Sequence, residues 1–565
     1  MTNDNNIAPF STHFFLDAFD ISGDKIMGRQ AAGNSYLNAL FRENFDEISL
    51  YISDVNNDPR NKINYDKIVN FLNTALTKTN DPKVNLIPYD TPLEAERFGG
   101  IFRPDPVICE LAYHRGYHGH DSYSIVGITH TTASHEIMGC IKDTLVAPLM
   151  PWDAIICTSE AVKSTVSTIM DDYYDFLSFK IGASRKPEFQ LPVIPLGINI
   201  DDFKIEADKK SIRESFGIDD DDIVILFVGR LSFHAKAHNI PMFLALENIS
   251  KNMKESNIHF IMTGWFPNDD VKEMYNLDAK LYCPSINIIF LDGRDQSTKF
   301  KAFNASDIFF SLTDNIQETF GLTPLEGMAA GLPVVVSDWN GYKDTVRDGI
   351  DGFRIPTTSY PEDLSTALAY RYDIGLDSYD RYCGYHSQFT SVNIVKAIEK
   401  LRLLIEDKEL RTKFGLNAKK YAKEKFNWSS ILRSYTNLKN DLQNIRKDEN
   451  KNYSKVLNKI SSDRLPPYKI FNSYPTNYLN IHNSVKLLKN INNIDYRTLF
   501  NNSESVWYAK IALPQVDQVE IILNSLNEHE YESIASLADK INFPTELVIR
   551  IVALLLKYGY VIIEE

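Results

Sequence analysis

Short, mostly apolar runs recur along the chain: Tyr123 to Thr129, Ala154 to Cys157, Asp222 to Val228, His259 to Thr263, Ile286 to Leu291, Asp307 to Leu312 and Leu332 to Ser337. Runs of that length without strict alternation read as strands covered on both faces, the habit of a parallel sheet. Between them apolar residues return at helical spacing, as with Tyr36, Leu37, Leu40 and Phe41 after the apolar stretch His13 to Ile21. The alternation predicts an α/β chain.

At 565 residues the chain is too long for one core. The pattern divides it into an α/β domain over 1–205, a second over 206–410, terminal helices over 411–442, a lysine- and asparagine-rich linker over 443–475 and a mainly helical module over 476–565. In that module Gln515 to Leu526, Ile534 to Ile541 and Pro544 to Tyr558 read as helices and Tyr560 to Ile563 as a strand, the outline of a winged helix. DNA binding is not expected of it, because from Asp517 onward three basic residues, Lys540, Arg550 and Lys557, stand against nine acids. Protein contact such as dimerisation fits better.

The net charge of −15 argues against wholesale nucleic-acid binding, and the aromatic fraction of 12% against disorder. Five scattered cysteines without a CxxC pair suit a reducing cytoplasm and offer no zinc site. With neither a signal-peptide pattern at the start nor a long unbroken apolar run, the expectation is a cytoplasmic protein, at most peripheral to a membrane.

Candidate chemistry gathers around 307–337. A helix from Thr323-Pro324 to Gly331 would point its N-terminus at the Gln317 to Leu322 loop, where open parallel sheets bind ligands and helix ends favour phosphate. Glu318 and Glu326 flank this corner, and a carboxylate suits a pair of sugar hydroxyls. Two plainer readings stay open: Thr323-x-x-Glu326 also fits a capping box, and Glu318 a solvated loop carboxylate. Arg230 and Lys236, just after the strand ending at Val228, could clamp a diphosphate. The glycine-bearing loop Gly23 to Gly33, with Gly28 in its middle, could let backbone approach a ligand or be a tight turn. Tyr113 to His120 holds histidines in a glycine-broken loop without a carboxylate or cysteine motif; a flexible loop near an acceptor fits it better than a metal site.

The string Glu318-Thr319-Phe320-Gly321-Leu322-Thr323-Pro324-Leu325-Glu326-Gly327-Met328-Ala329-Ala330-Gly331 with Pro333-Val334-Val335 resembles the donor-site signature of retaining glycosyltransferases of family four, which have the GT-B fold. The resemblance covers roughly residues 12 to 442. It implies two Rossmann-like domains facing a cleft, an acceptor bound in the first and a nucleotide sugar in the second. It further implies Arg230 and Lys236 on the diphosphate with the Phe320 to Thr323 backbone, Glu326 on the ribose, Glu318 on the donor sugar, His130 beside that sugar and Gly28 facing the cleft. Catalytic parts fall to His130, Glu318, Arg230 and Lys236. The spacing from Arg230 to Lys236 is one residue longer than the family's, alanine follows Ala235-Lys236 where glycine is usual, and Trp339 and Tyr342 replace small residues.

The implied reaction is transfer with retention of configuration to a saccharide, lipid-linked saccharide or protein, with no metal or other cofactor. Alternatives are another GT-B activity, a phosphorylase or a sugar-nucleotide epimerase, or a non-catalytic sugar-nucleotide sensor acting through the C-terminal module, which could equally serve a homo-oligomer or a protein partner.

Overall fold

The apolar runs form two sheets of six parallel strands each. In the computed structural model, which describes residues 6–21, 23, 28–52, 70–72, 81–203, 208–253, 257–457, 465–488 and 491–564, the first sheet is β1 (Ser11–His13), β2 (Glu47–Ile52), β3 (Lys83–Pro88), β4 (Gly100–Phe102), β5 (Ser124–Ile128) and β6 (Ala154–Ile156). The second is β7 (Ile223–Val228), β8 (Ile258–Gly264), β9 (Asn287–Asp292), β10 (Ile308–Ser311), β11 (Val334–Ser337) and β12 (Gly352–Ile355). The orders are β3-β2-β1-β4-β5-β6 and β12-β11-β10-β7-β8-β9, one topology used twice. In each, chain direction across the sheet reverses between the first and fourth strands, which opens a crevice at their carboxyl ends. Burial on both faces explains the continuous apolar sequence: every residue of β5 and β7 is buried. These are the two Rossmann-like domains expected of a GT-B chain.

The second domain makes an excursion after β12. The short antiparallel pair Thr357–Thr358 and Ser391–Val392 brackets two helices, Thr366–Asp373 and Tyr379–Gln388. The chain then returns to the first domain through helices Ile394–Glu406, Lys408–Lys425 and Trp428–Leu457. Trp428 lies so close to Gly197 that a Cβ there would sit 2.4 Å from the indole, and its Nε1 donates to Ser35 Oγ at 2.8 Å. Tyr435 packs on Tyr36 and Phe102.

Two expectations are corrected. The last helix runs through the first part of the stretch read as a linker, because it is still anchored there: Leu442 is buried, Ile445 packs against the first-domain core, and Arg446 Nη1 donates to Ser122 O at 3.0 Å. Residues 458–464 of that stretch lie outside the described residues. Tyr113 to His120 is not a loop throughout, since Tyr113 to Arg115 are helical. It ends the helix Cys109–Arg115, whose Arg115, fully buried, meets Asp153 through two bonds of 2.6 and 2.7 Å and donates to Tyr123 O at 2.7 Å.

Residues 464–565 form a separate unit. Helices Val516–Ser525, Ile534–Ile541 and Thr545–Lys557 pack Val519, Ile522, Leu537, Val548, Ile551 and Leu555 inward. Val561–Ile563 and Glu532–Ser533 flank a third antiparallel strand, Ser484–Leu487, that precedes the helices and that the sequence pattern had not marked.

Candidate functional site

A cavity of about 320 Å³ opens at the carboxyl ends of β7 and β10 and is walled on its far side by the first domain. Gly28 and His130 line it from the first domain, and Arg230, Lys236, Glu318, Phe320, Gly321, Leu322, Thr323 and Glu326 from the second. All ten residues singled out from the sequence are therefore brought to one cavity.

Two neighbouring loops build the second-domain wall. After β7, Leu231 is buried and pins the turn, so Arg230 projects sideways; its Nη2 donates to Ala235 O at 3.1 Å and to Gln317 Oε1. After β10, Asn315 ties the two loops by donating from Nδ2 to His234 O at 2.8 Å, and its own carbonyl accepts from Trp339 Nε1 at 3.0 Å. Glu318 then meets Lys236 Nζ. Burial opposes charge on both groups, but their pairing outweighs it: Glu318 is held below the usual carboxylate range and Lys236 above the usual ammonium range. The solvated-loop reading of Glu318 fails, since its side chain is 11% exposed and paired.

The helix over Leu322–Ala330 starts two residues earlier than its sequence suggested, and the cap is Gly321, not Thr323. Gly321 stands at φ 92°, and a Cβ there would lie 2.0 Å from the Tyr342 ring, so only glycine fits. Among the described residues no side chain caps this end and Thr323 Oγ1 is buried without a partner, and Leu322 and Thr323 line the cavity. Glu326, one turn on, does not close a capping box. Its Oε1 accepts from Lys299 Nζ at 2.7 Å, and its Oε2 has no partner among the described residues. Gly331 closes the far end at φ 87°.

From the first domain, His130 follows β5, half-buried, with its carbonyl accepting from Thr319 Oγ1 at 3.0 Å. Burial holds its imidazole down to about 4, against a nearby Asp105 and with Arg29 adding to the depression, so it is neutral near pH 7. Gly28 opens the helix Gly28–Arg42, and a Cβ there would meet nothing within 4 Å. The turn reading of this loop rests on 24–27, which lie outside the described residues.

Sequence reasoning missed three participants. Gln317, beside Glu318, is the neutral partner of Arg230; Lys299 neutralises Glu326 from another helix; Arg29 lines the cavity from the first domain. Tyr342, expected to shape the pocket, is instead fully buried beneath Gly321, with its hydroxyl 3.0 Å from Thr313 Oγ1 and donating to Glu318 Oε2 at 3.3 Å. It meets the site from beneath, through Glu318 and Gly321. Among the described residues, no group of three His, Cys, Asp or Glu side chains is placed to hold a metal ion, and no helix is long and apolar enough to cross a membrane.

Comparison with known proteins adds the chemistry. Residues 208–375 match the family described as glycosyl transferases group 1. An uncharacterized glycosyltransferase of Methanocaldococcus jannaschii is 25% identical over 289 residues, covering 50% of this chain and 59% of that protein. The UDP-Gal:alpha-D-GlcNAc-diphosphoundecaprenol alpha-1,3-galactosyltransferase of Escherichia coli is 25% identical over 222 residues, 39% of this chain and 54% of its own. Among solved structures, Anabaena HepE in complex with UDP is similar at 14% identity and a TM-score of 0.47, over 76% of this chain and 98% of that one. The chain spans 40% to 59% of the length of the first curated relatives it matches.

Proposed function

Starting from a second domain that is a group 1 glycosyltransferase domain, we propose that the protein moves a sugar from a nucleotide-sugar donor to a saccharide, lipid-linked saccharide or protein acceptor with retention of configuration. The observation that carries the reading is Arg230: a cavity cation whose side-chain partner is the neutral Gln317, set beside the uncapped N-terminus of Leu322–Ala330 at a sheet switch point. A diphosphate fits both.

In this reading Arg230, Lys236 and the Gly321 to Thr323 amides hold the diphosphate. Phosphate on Lys236 displaces Glu318, which is then free to accept from donor-sugar hydroxyls; Glu326 takes the ribose. As the bond from the anomeric carbon to the diphosphate oxygen breaks, negative charge grows on the leaving group beside these donors. The acceptor oxygen bonds the same face of that carbon and passes its proton to the departing diphosphate. Neutral His130 orients the sugar. Protein cations and amides supply the counter-charge, so the mechanism calls for no metal and no cofactor.

The test is a panel of UDP-, GDP- and ADP-sugars read by thermal shift and by nucleotide release, since a ligand that binds only the folded state raises its melting point. One donor should stabilise the protein and slowly release nucleotide, with both effects weakened in Glu326→Ala. No shift with any donor would remove the donor-site assignment. Binding without turnover across saccharide acceptors would favour a sensor.

A further inference from the structure

The family match ends at 375, inside the excursion of the second domain, and the helix that follows carries contacts that belong to no role assigned so far. Two tyrosines of the excursion rest on the first-domain loop that leaves His130. Tyr372 stacks on His135 with ring centroids 3.6 Å apart, and its hydroxyl accepts from the His135 amide at 3.3 Å. Tyr379 reaches deeper. Its hydroxyl accepts from Gln317 Nε2 at 3.0 Å and lies 3.3 Å from Thr131 Oγ1.

The direction of these bonds follows from the groups themselves. Arg230 can only donate, so Gln317 must turn its oxygen to the guanidinium, and its NH₂ is left for Tyr379. The tyrosine oxygen, having accepted that bond, turns its proton to Thr131, with the Cys383 thiol as a further neighbour of the hydroxyl. Arg230, Gln317, Tyr379 and Thr131 thus form one chain in which every member donates to the next, an order in which each bond polarises its neighbour. It joins the cation proposed for the diphosphate to the residue directly after His130. Burial raises the Tyr379 phenol above its ordinary range, which keeps the donated proton in place.

We infer that Tyr379 is a positioning residue that ties the placement of the first-domain loop 130–135 to the orientation of Arg230 through Gln317. The inference deepens the donor-site reading and rests on it for its catalytic consequence, while the chain itself can be tested without any ligand. Tyr379 does not itself line the cavity; its effect passes through Gln317 and Thr131, which do.

The experiment compares Tyr379→Phe, which removes every bond of the hydroxyl and keeps the ring, with Tyr372→Phe, which removes only the rim bond to His135. By hydrogen–deuterium exchange on the full ligand-free chain, Tyr379→Phe should speed exchange in peptides covering both 130–133 and 315–318, and Tyr372→Phe should do so only around His135. With UDP-glucose and UDP as probes, Tyr379→Phe should lower kcat about tenfold while the KM for donor and the affinity for UDP stay within about twofold, the size of one lost bond in a charge-assisted chain. Tyr372→Phe should leave both within about twofold on the same scale. Equal effects of the two variants, or unchanged exchange at 315–318 in Tyr379→Phe, would overturn the inference. A wild-type protein that ignores both probes would count against a UDP donor and leave the exchange result to decide the chain.

Discussion

The first and second domains have the same strand order, and so the same crevice between their first and fourth strands, but the side chains at the two crevices behave oppositely. His13 ends β1 and Arg103 follows β4. His13 is buried and held down to about 3, by burial first and then by Arg103 and His114, and Arg103 is matched to Asp105 at 2.6 Å. After β7 and β10 stand Arg230, Lys236, Gln317 and Glu318, where one cation faces a neutral amide and the other faces a carboxylate inside the cavity wall. Topology supplies a place for a ligand in both. Only the second is arranged so that an incoming anion improves the electrostatics, by giving Arg230 a charged partner and by exchanging for Glu318 on Lys236. The largest ion pair of the first domain, Arg115 with Asp153, lies in the core and serves the fold.

That contrast predicts where substitutions register. Arg115→Met keeps the bulk but strands the Asp153 carboxylate in a fully buried site, so the first domain should lose about 3–5 kcal/mol of stability. Urea unfolding followed by first-domain tryptophan fluorescence at Trp152 measures it. The variant that stays folded should bind nucleotide as the parent does, and a loss of nucleotide affinity without a loss of stability would break the division of labour between the domains.

Arg230→Ala is the counterpart in the second domain. Its guanidinium contributes two bonds to the resting protein, to Ala235 O and Gln317 Oε1, neither holding a buried charge. Stability should change little. Donor turnover should fall about 10²–10³-fold, the usual loss on removing one preorganised donor to developing negative charge. Steady-state kinetics with the donor selected by the panel decides it, and turnover within a few-fold of the parent would place the diphosphate elsewhere.

How far these features were legible in sequence depends on how local they are. The two Rossmann-like domains were readable because each buried strand is an unbroken apolar run, and the corner at Glu318 to Gly331 because all of it is contiguous. What misled was tertiary. Nothing near Thr323 says that Tyr342 will pack beneath Gly321 and move the cap two residues back. Lys299 reaches Glu326 from another helix, and Tyr379 reaches Thr131 from 248 residues away, so neither pairing leaves a periodic trace. Arg115, among histidines and glycines, has the composition of a solvated loop; its burial is set by Asp153, on a different segment. The helix beyond Leu442 has a linker's composition, and Ile445 and Arg446 hold it to the first domain all the same.

The smallest effect concerns pH and separates the imidazoles of the first domain from the ion pairs of the second. His130 takes a proton near 6.5 when unfolded and resists down to about 4 when folded, chiefly because of burial. Between those values the unfolded chain binds more protons than the folded one, so stability should fall as pH drops from about 6.5 to about 4 and should owe nothing further to this group below that range. His13 acts with the same sign, over a window reaching down to about 3. Glu318 acts over a more acidic window: its carboxyl is depressed, so its contribution is full above the ordinary carboxylate range and is lost as pH falls from that range towards its lowered value. Melting points of the parent and of His130→Asn, taken between pH 7 and pH 4, should therefore converge as the pH falls, because the variant lacks one of the imidazoles that take up a proton on unfolding. Parallel curves would mean that the His130 side chain is hydrated in solution, and that the neutral, cleft-facing imidazole assigned to the donor sugar is not its resting state.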